Sequence, residues 1–137
     1  MKILLPVDGS ATSTRAAEYL VQHWPADAGI TLLYVDPPLR NSVARCLDAQ
    51  MIAHYHDENA TEALKPAIAV LQKAGRQFDE QRLVGDPGDA AVKLAREGNY
   101  DLIIMGSHGH GALKSLFLGS VTVKVLSNSR IPVLVVR

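Results

Sequence analysis

Four short apolar runs punctuate the chain: Ile3–Val7, Ile30–Val35, Leu102–Met105 and Ile131–Val136, each rich in Ile, Val and Leu and bounded by Gly, Pro or Asp. They lack the polar alternation of a half-solvated sheet, so they predict strands buried on both faces. Gln81–Val84 is a weaker fifth candidate. Between the runs, apolar residues recur at helical spacing: Ala16, Ala17, Leu20 and Val21; then Ala91, Val92, Leu94 and Ala95; then Val121, Val125 and Leu126. An amphipathic helix produces that spacing. Strand and helix therefore alternate, which predicts a parallel α/β sheet reached by crossover helices and covered on both faces.

Boundary residues agree with this reading. Ser10, behind Asp8 and Gly9, is suited to cap the first helix, and Asp86-Pro87 to open a later one, because proline loses nothing at a first helical position. Trp24-Pro25 closes the first helix. The stretch from about Ser42 to Ala74 is mostly helix-compatible, and Pro66 within it predicts a kink or a split into two helices. Pro132 cannot donate to a ladder, so the last run is expected to begin just after it or to lie at a sheet edge. An apolar edge invites pairing with a second copy.

Composition narrows the class. With 137 residues, 47% of them hydrophobic and 20% charged, the chain is expected to form one domain spanning residues 1–137 around its own core. Lys+Arg and Asp+Glu are 14 each, which argues against a broad nucleic-acid surface or a polybasic membrane protein. Cys46 is the only cysteine, so disulfides within the chain, cysteine zinc sites and CxxC redox pairs are excluded, and a reducing cytoplasm fits. No apolar stretch is long enough for a signal-peptide core or a membrane span.

The densest chemical signal follows the Leu102 run: Gly106-Ser107-His108-Gly109-His110-Gly111, then Gly119-Ser120-Val121-Thr122 opening the last helix. Glycines after a strand permit close backbone approach, and the N–H groups of a helix start favour anions. Together they suit a phosphate cradle, although tight turns use the same residues. Two familiar phosphate motifs are absent. Lys114-Ser115 follows Leu113 rather than glycine, so there is no Walker A loop. Gly109-His110-Gly111 runs on into Ala112, Leu113 and Lys114, so the dinucleotide fingerprint fails.

The spacing Gly106-x2-Gly109-x9-Gly119-Ser120, after Ile103-Ile104-Met105 and before Ile131-Pro132-Val133-Leu134-Val135-Val136, resembles the nucleotide-binding signature of the universal stress protein family. Lys2-Ile3-Leu4-Leu5-Pro6-Val7-Asp8-Gly9-Ser10 resembles its first strand and turn, Leu33-Tyr34-Val35 its second strand end, and Gly85-Asp86-Pro87 its third loop. The resemblance implies a doubly wound, Rossmann-like sheet of five parallel strands in the order 3-2-1-4-5. It also implies a homodimer paired through the last strand, and ATP, carried with Mg2+, as the ligand. The implied site comprises Pro6, Val7 and Asp8 around the adenosine, with Asp8 near the ribose, and the Val35 backbone on adenine. Gly106, Ser107, His108, Gly109, His110, Gly111 and Ala112, with Ser120, Val121 and Thr122, would hold the phosphates, and Met105 and Gly119 complete the implied ATP site. His108 and His110 stand where arginine is common in the family, which leaves the glycine geometry intact but bears on the strength and pH dependence of phosphate binding.

The other candidates point to less specific roles. His108 and His110 lack a paired carboxylate, and His54-x-His56-Asp57 is expected to form a solvated helix face, so no metal site is expected. Ser107 and His108 are neighbours in sequence and no GxSxG elbow exists, which disfavours a nucleophilic triad. Cys46 is read as a small apolar residue. The leading expectation is thus an ATP-binding regulator with no catalytic residue assigned. The alternatives are the same fold acting without nucleotide, as a subunit for a regulatory protein partner, and a slow ATPase or self-phosphorylating protein with Ser107, Ser120 or Thr122 as acceptor. A hydrolase of the related adenine-nucleotide type is disfavoured because no SGGxDS-like turn follows the first strand.

Charge refines the picture. Residues 1–101 hold 10 Lys+Arg against 14 Asp+Glu, a net of −4, whereas residues 102–137 hold Lys114, Lys124, Arg130 and Arg137 and no acid, a net of +4. The positive segment is the one that carries the glycine run.

Overall fold

The computed structural model describes residues 1–110 and 117–137. Five strands, β1 (Lys2–Pro6), β2 (Gly29–Asp36), β3 (Asp79–Val84), β4 (Leu102–Gly106) and β5 (Val133–Val136), form one sheet in the order β3-β2-β1-β4-β5. Every pairing is parallel, with Ile3 opposite Ile30, Leu4 opposite Ile103 and Ile104 opposite Leu134. The helices are α1 (Ala11–His23), α2 (Asn41–Ala44), α3 (Ala49–Lys73), α4 (Pro87–Glu97) and α5 (Ser120–Asn128).

The apolar strands carry two cores because their side chains alternate between faces. Ile3, Leu5, Ile30 and Leu32 meet Ala16, Leu20, Leu64 and Leu71 of α1 and α3 on one face. On the other, Leu4, Leu33, Val35, Ile103 and Met105 meet Ala91 and Ala95 of α4 and Val125 of α5. The polar Thr31 is accommodated in the second layer because its Oγ1 accepts a 2.9 Å bond from the Tyr100 hydroxyl.

The caps act where the sequence puts them. Ser10 accepts from the Ser13 N–H at 3.2 Å, and Asp86 from the Asp89 N–H at 2.9 Å with Pro87 in the first turn of α4. The Asp86 carboxyl lies below its usual range, first because of that backbone bond and then because Lys124 of α5 donates to it at 3.0 Å. This pair ties the N-terminal part of α4 to α5.

Three expectations need correction. Pro66 neither splits nor ends its helix: α3 runs unbroken for 25 residues, and its buried Ala63, Leu64, Ala67 and Leu71 pack across the proline, offsetting the lost hydrogen bond. The weak fifth run is a longer strand than expected, extending back to Asp79, whereas the last strand begins directly after Pro132, at Val133, and lies at the sheet edge, as that proline led one to expect. His56 does not stand on a solvated face. It is half-buried, and its Nδ1–H donates to Asp36 Oδ2 at 2.6 Å.

Candidate functional site

The chain runs outward from β1 to β2 and β3 on one side and returns to β4 and β5 on the other, so the strand order reverses between β1 and β4. Neighbouring crossovers leave to opposite faces there, which opens a crevice at the carboxyl ends of the strands. A cavity of about 600 Å³ fills it, within the range of small-molecule sites.

One wall is the end of β1 and its turn. Pro6, Val7 and Asp8 line it, and Asp8 Oδ1 accepts the Ser10 N–H at 2.9 Å, which shapes the turn into α1. The wall toward β2 is Leu33, Tyr34 and Val35, followed by Pro37, and Pro87 at the start of α4 closes that side. Opposite lie Met105 and Gly106 at the end of β4, then His108, Gly109 and His110.

Main-chain bonds fix this last segment. Ser107 N–H donates to Val136 O at 2.8 Å, and Ser107 O accepts the Gly119 N–H at 2.7 Å, which brings the turn onto the start of α5. The buried Thr122 hydroxyl donates to Gly106 O at 2.9 Å. Two glycines are closely fitted, Gly106 against backbone and Gly109 against a side chain. A Cβ on Gly106 would come within 2.9 Å of the Thr12 backbone, and one on Gly109 would collide with Asp8 Oδ2. The first turn of α5 lies beside them, and Ser120, Val121 and Thr122 line the cavity where N–H groups have no intrahelical acceptor. A ligand with negative charge can be received here by main-chain dipoles.

The histidines take specific positions. His110 Nε2–H donates to Asp8 O at 2.9 Å, so the β4 turn is strapped to the β1 turn. His108 Nδ1 shares a 2.8 Å hydrogen bond with Ser107 Oγ. Among the described residues no cluster of three His, Cys, Asp or Glu could hold a metal ion. No helix among them is long and apolar enough to cross a membrane.

Most of the expected residues meet in one place. Pro6, Val7, Asp8, Val35, Met105, Gly106, His108, Gly109, His110, Gly119, Ser120, Val121 and Thr122 all line the cavity. Ser107 does not: it is 2% exposed and holds the turn from behind. Gly111 and Ala112 lie outside the described residues. The sequence reading missed Ser13, Leu33, Tyr34, Pro37 and Pro87 as wall residues. Each lies within three residues of an expected site residue or of a helix cap, and that adjacency was the available signal.

The Universal stress protein family is matched over residues 1–137. The chain belongs to the universal stress protein family. Universal stress protein Slr1230 of Synechocystis is 34% identical over 136 residues, which is 99% of this chain but 42% of that protein, so the chain spans less than half of that relative's length. The solved structure of MJ0577, from Methanocaldococcus jannaschii, superposes with a TM-score of 0.83 at 32% identity, covering 98% of this chain and 94% of that one. A universal stress protein solved in complex with cAMP gives 0.74 at 28% identity, covering 100% and 97%. The doubly wound five-stranded parallel sheet is the fold these universal stress proteins share.

Proposed function

We propose that this universal stress protein binds ATP in the cavity at the β1/β4 switch point and acts by nucleotide-dependent regulation of a stress response. The observation that carries this reading is the Gly106–Gly109 turn held against the N-terminus of α5, where backbone approach and N–H groups without an intrahelical acceptor coincide at the mouth of a 600 Å³ cavity. The cAMP complex of a 28% identical relative supports an adenine nucleotide as the ligand class.

In this reading the β2 end takes the base, with the Val35 backbone on adenine, and Pro6, Val7 and Asp8 flank the adenosine with the Asp8 carboxylate toward the ribose. Met105 and Gly106 form the floor between sugar and phosphates. His108, Gly109, His110, Gly119 and the start of α5 receive the phosphates, with Gly111 and Ala112 continuing the loop, while Ser107 supports them through its backbone. Asp8 is the only carboxylate of the described wall, so Mg2+ would be carried mainly by the nucleotide's own oxygens. Phosphate transfer is a secondary reading. Of the three candidate acceptors, Ser107 and Thr122 are buried and already hydrogen-bonded, which leaves Ser120.

The two sheet edges differ in a way that favours a homodimer through β5. The outer strand β3 reads DEQRLV and is guarded by charge, whereas β5 reads VLVV and is only half-covered. The single Cys46, exposed and unpaired, suits a reducing cytoplasm.

The test is direct. Protein purified without added nucleotide is denatured and its supernatant chromatographed, and the native protein is titrated calorimetrically with ATP-Mg, AMP and cAMP. Adenine nucleotide in the supernatant or sub-millimolar binding of ATP is expected. No release and no binding of any of the three at millimolar concentration would overturn the reading and leave the fold as a regulatory subunit that works without nucleotide.

A further inference from the structure

Asp36 ends β2, is 5% exposed, and uses every acceptor it has. Its Oδ1 accepts the Tyr34 hydroxyl at 2.7 Å. Its Oδ2 accepts His56 Nδ1–H at 2.6 Å and the Asn59 amide at 2.9 Å, both from α3. Its main-chain oxygen accepts the Gly85 N–H at 2.9 Å, which fixes the turn that presents Pro87 to the cavity. One carboxylate oxygen therefore holds a cavity wall and the other holds a helix. Burial alone would raise this carboxyl, but donation from Asn59, Tyr34 and His56 outweighs it and keeps it ionised below the usual range.

The helix it holds is unusual in length. At about 37 Å, α3 outreaches the roughly 26 Å of β2 beneath it. None of residues 49–59 is buried, and burial begins only at Ala60. Among the described residues, the other hydrogen bonds between this arm and the sheet run from the exposed Arg82 to Asp57, at 2.7 Å to its carboxylate and 3.5 Å to its main-chain oxygen, a pair that solvent screens.

We propose that Asp36 is a positioning residue that couples the nucleotide cavity to the overhanging arm of α3, through Tyr34 on one carboxylate oxygen and His56 and Asn59 on the other. A ligand that restrains Tyr34 restrains Asp36, and with it the arm. By reciprocity, loosening the arm weakens the ligand's hold. The occupied state is thereby displayed on an arm that also presents the exposed Met51 and Tyr55. This rests on the proposed nucleotide site only for the identity of the ligand. The coupling itself is a property of the ligand-free chain.

Amide hydrogen exchange of the full chain tests both parts. Without ligand, Tyr34→Phe removes a hydroxyl whose hydrogen bond goes to Asp36 rather than to α3, yet exchange over residues 49–58 should quicken about 3- to 10-fold, while residues 16–20 of α1 stay unchanged. His56→Gln should quicken the same segment, and the double variant should show less than the product of the two effects. A purely structural role would instead shift all amides together. Arm exchange at the wild-type rate in Tyr34→Phe would overturn the coupling. Saturating ATP-Mg should slow the arm in the wild type and lose most of that effect in Tyr34→Phe. ATP that binds by calorimetry without slowing the arm would overturn the link to occupancy. ATP that fails to bind would instead sink the nucleotide reading, while the ligand-free comparison still decides the coupling.

Discussion

Gly109 and the Asp8 carboxylate stand too close for any side chain between them: a Cβ on Gly109 would strike Asp8 Oδ2, while the other oxygen of that carboxylate holds the Ser10 N–H. The β1 turn and the β4 turn are thus fitted to each other across the cavity. Gly109→Ala should push Asp8 out of its turn and weaken ATP binding at least 10-fold by calorimetry, and Gly109→Glu should abolish it by setting a negative charge against the phosphates. Both variants should keep the wild-type circular dichroism. Wild-type affinity in Gly109→Glu would place the ligand elsewhere.

Thr122 offers a substitution of nearly constant volume. Thr122→Val removes the hydroxyl that donates to Gly106 O and leaves that carbonyl without the partner, at a cost of about 1–3 kcal/mol. Denaturant unfolding should show the loss as a lower midpoint with an unchanged slope. An unchanged midpoint would mean that another donor reaches Gly106 O.

Asp36 sets a pH dependence of stability. Its carboxyl is depressed in the folded state, so the native chain binds fewer protons than the unfolded chain as pH falls through the ordinary carboxylate range. The stabilisation is therefore complete above an unfolded pKa of about 3.9 and is lost as pH falls through the lower folded value. Asp36→Asn should cost about 1–3 kcal/mol at neutral pH and flatten the acid limb of the stability curve. Parallel acid limbs for variant and wild type would show that Asp36 is not the group responsible.

The edge contrast makes its own forecast. Val135→Asp places a charge on the half-covered β5, and sedimentation should show monomer or loss of soluble protein. A charge reversal on the β3 edge, Glu80→Lys, should leave the oligomeric state unchanged. A soluble dimer of Val135→Asp would exclude pairing through β5.

Strands and caps were legible because each is decided by a local rule: burial on both faces for Ile3–Val7 and Leu102–Met105, and a side-chain oxygen before a helix for Ser10 and Asp86. Pro66 was misjudged because its local penalty is countered by packing of Leu64 and Leu71 against β1 and β2 residues distant in sequence. His56 was misjudged for the same reason, since its partner Asp36 lies 20 residues away and is brought near only when α3 folds back on β2. Within the site, glycines and cap residues advertise themselves. Leu33, Tyr34, Pro37 and Pro87 do not, because they serve as walls through where the strands end rather than through any chemistry of their own.

The turn after β4 is held by Ser107 N–H to Val136 O and by Gly119 N–H to Ser107 O, contacts made by atoms that every residue type but proline possesses. A binding loop anchored in this way can change its side chains over evolutionary time without being rebuilt. Position 108 is then a place where a lineage can retune the charge a ligand meets, by exchanging imidazole for another group, whereas exchange at position 110 would also release the strap from His110 to Asp8 O.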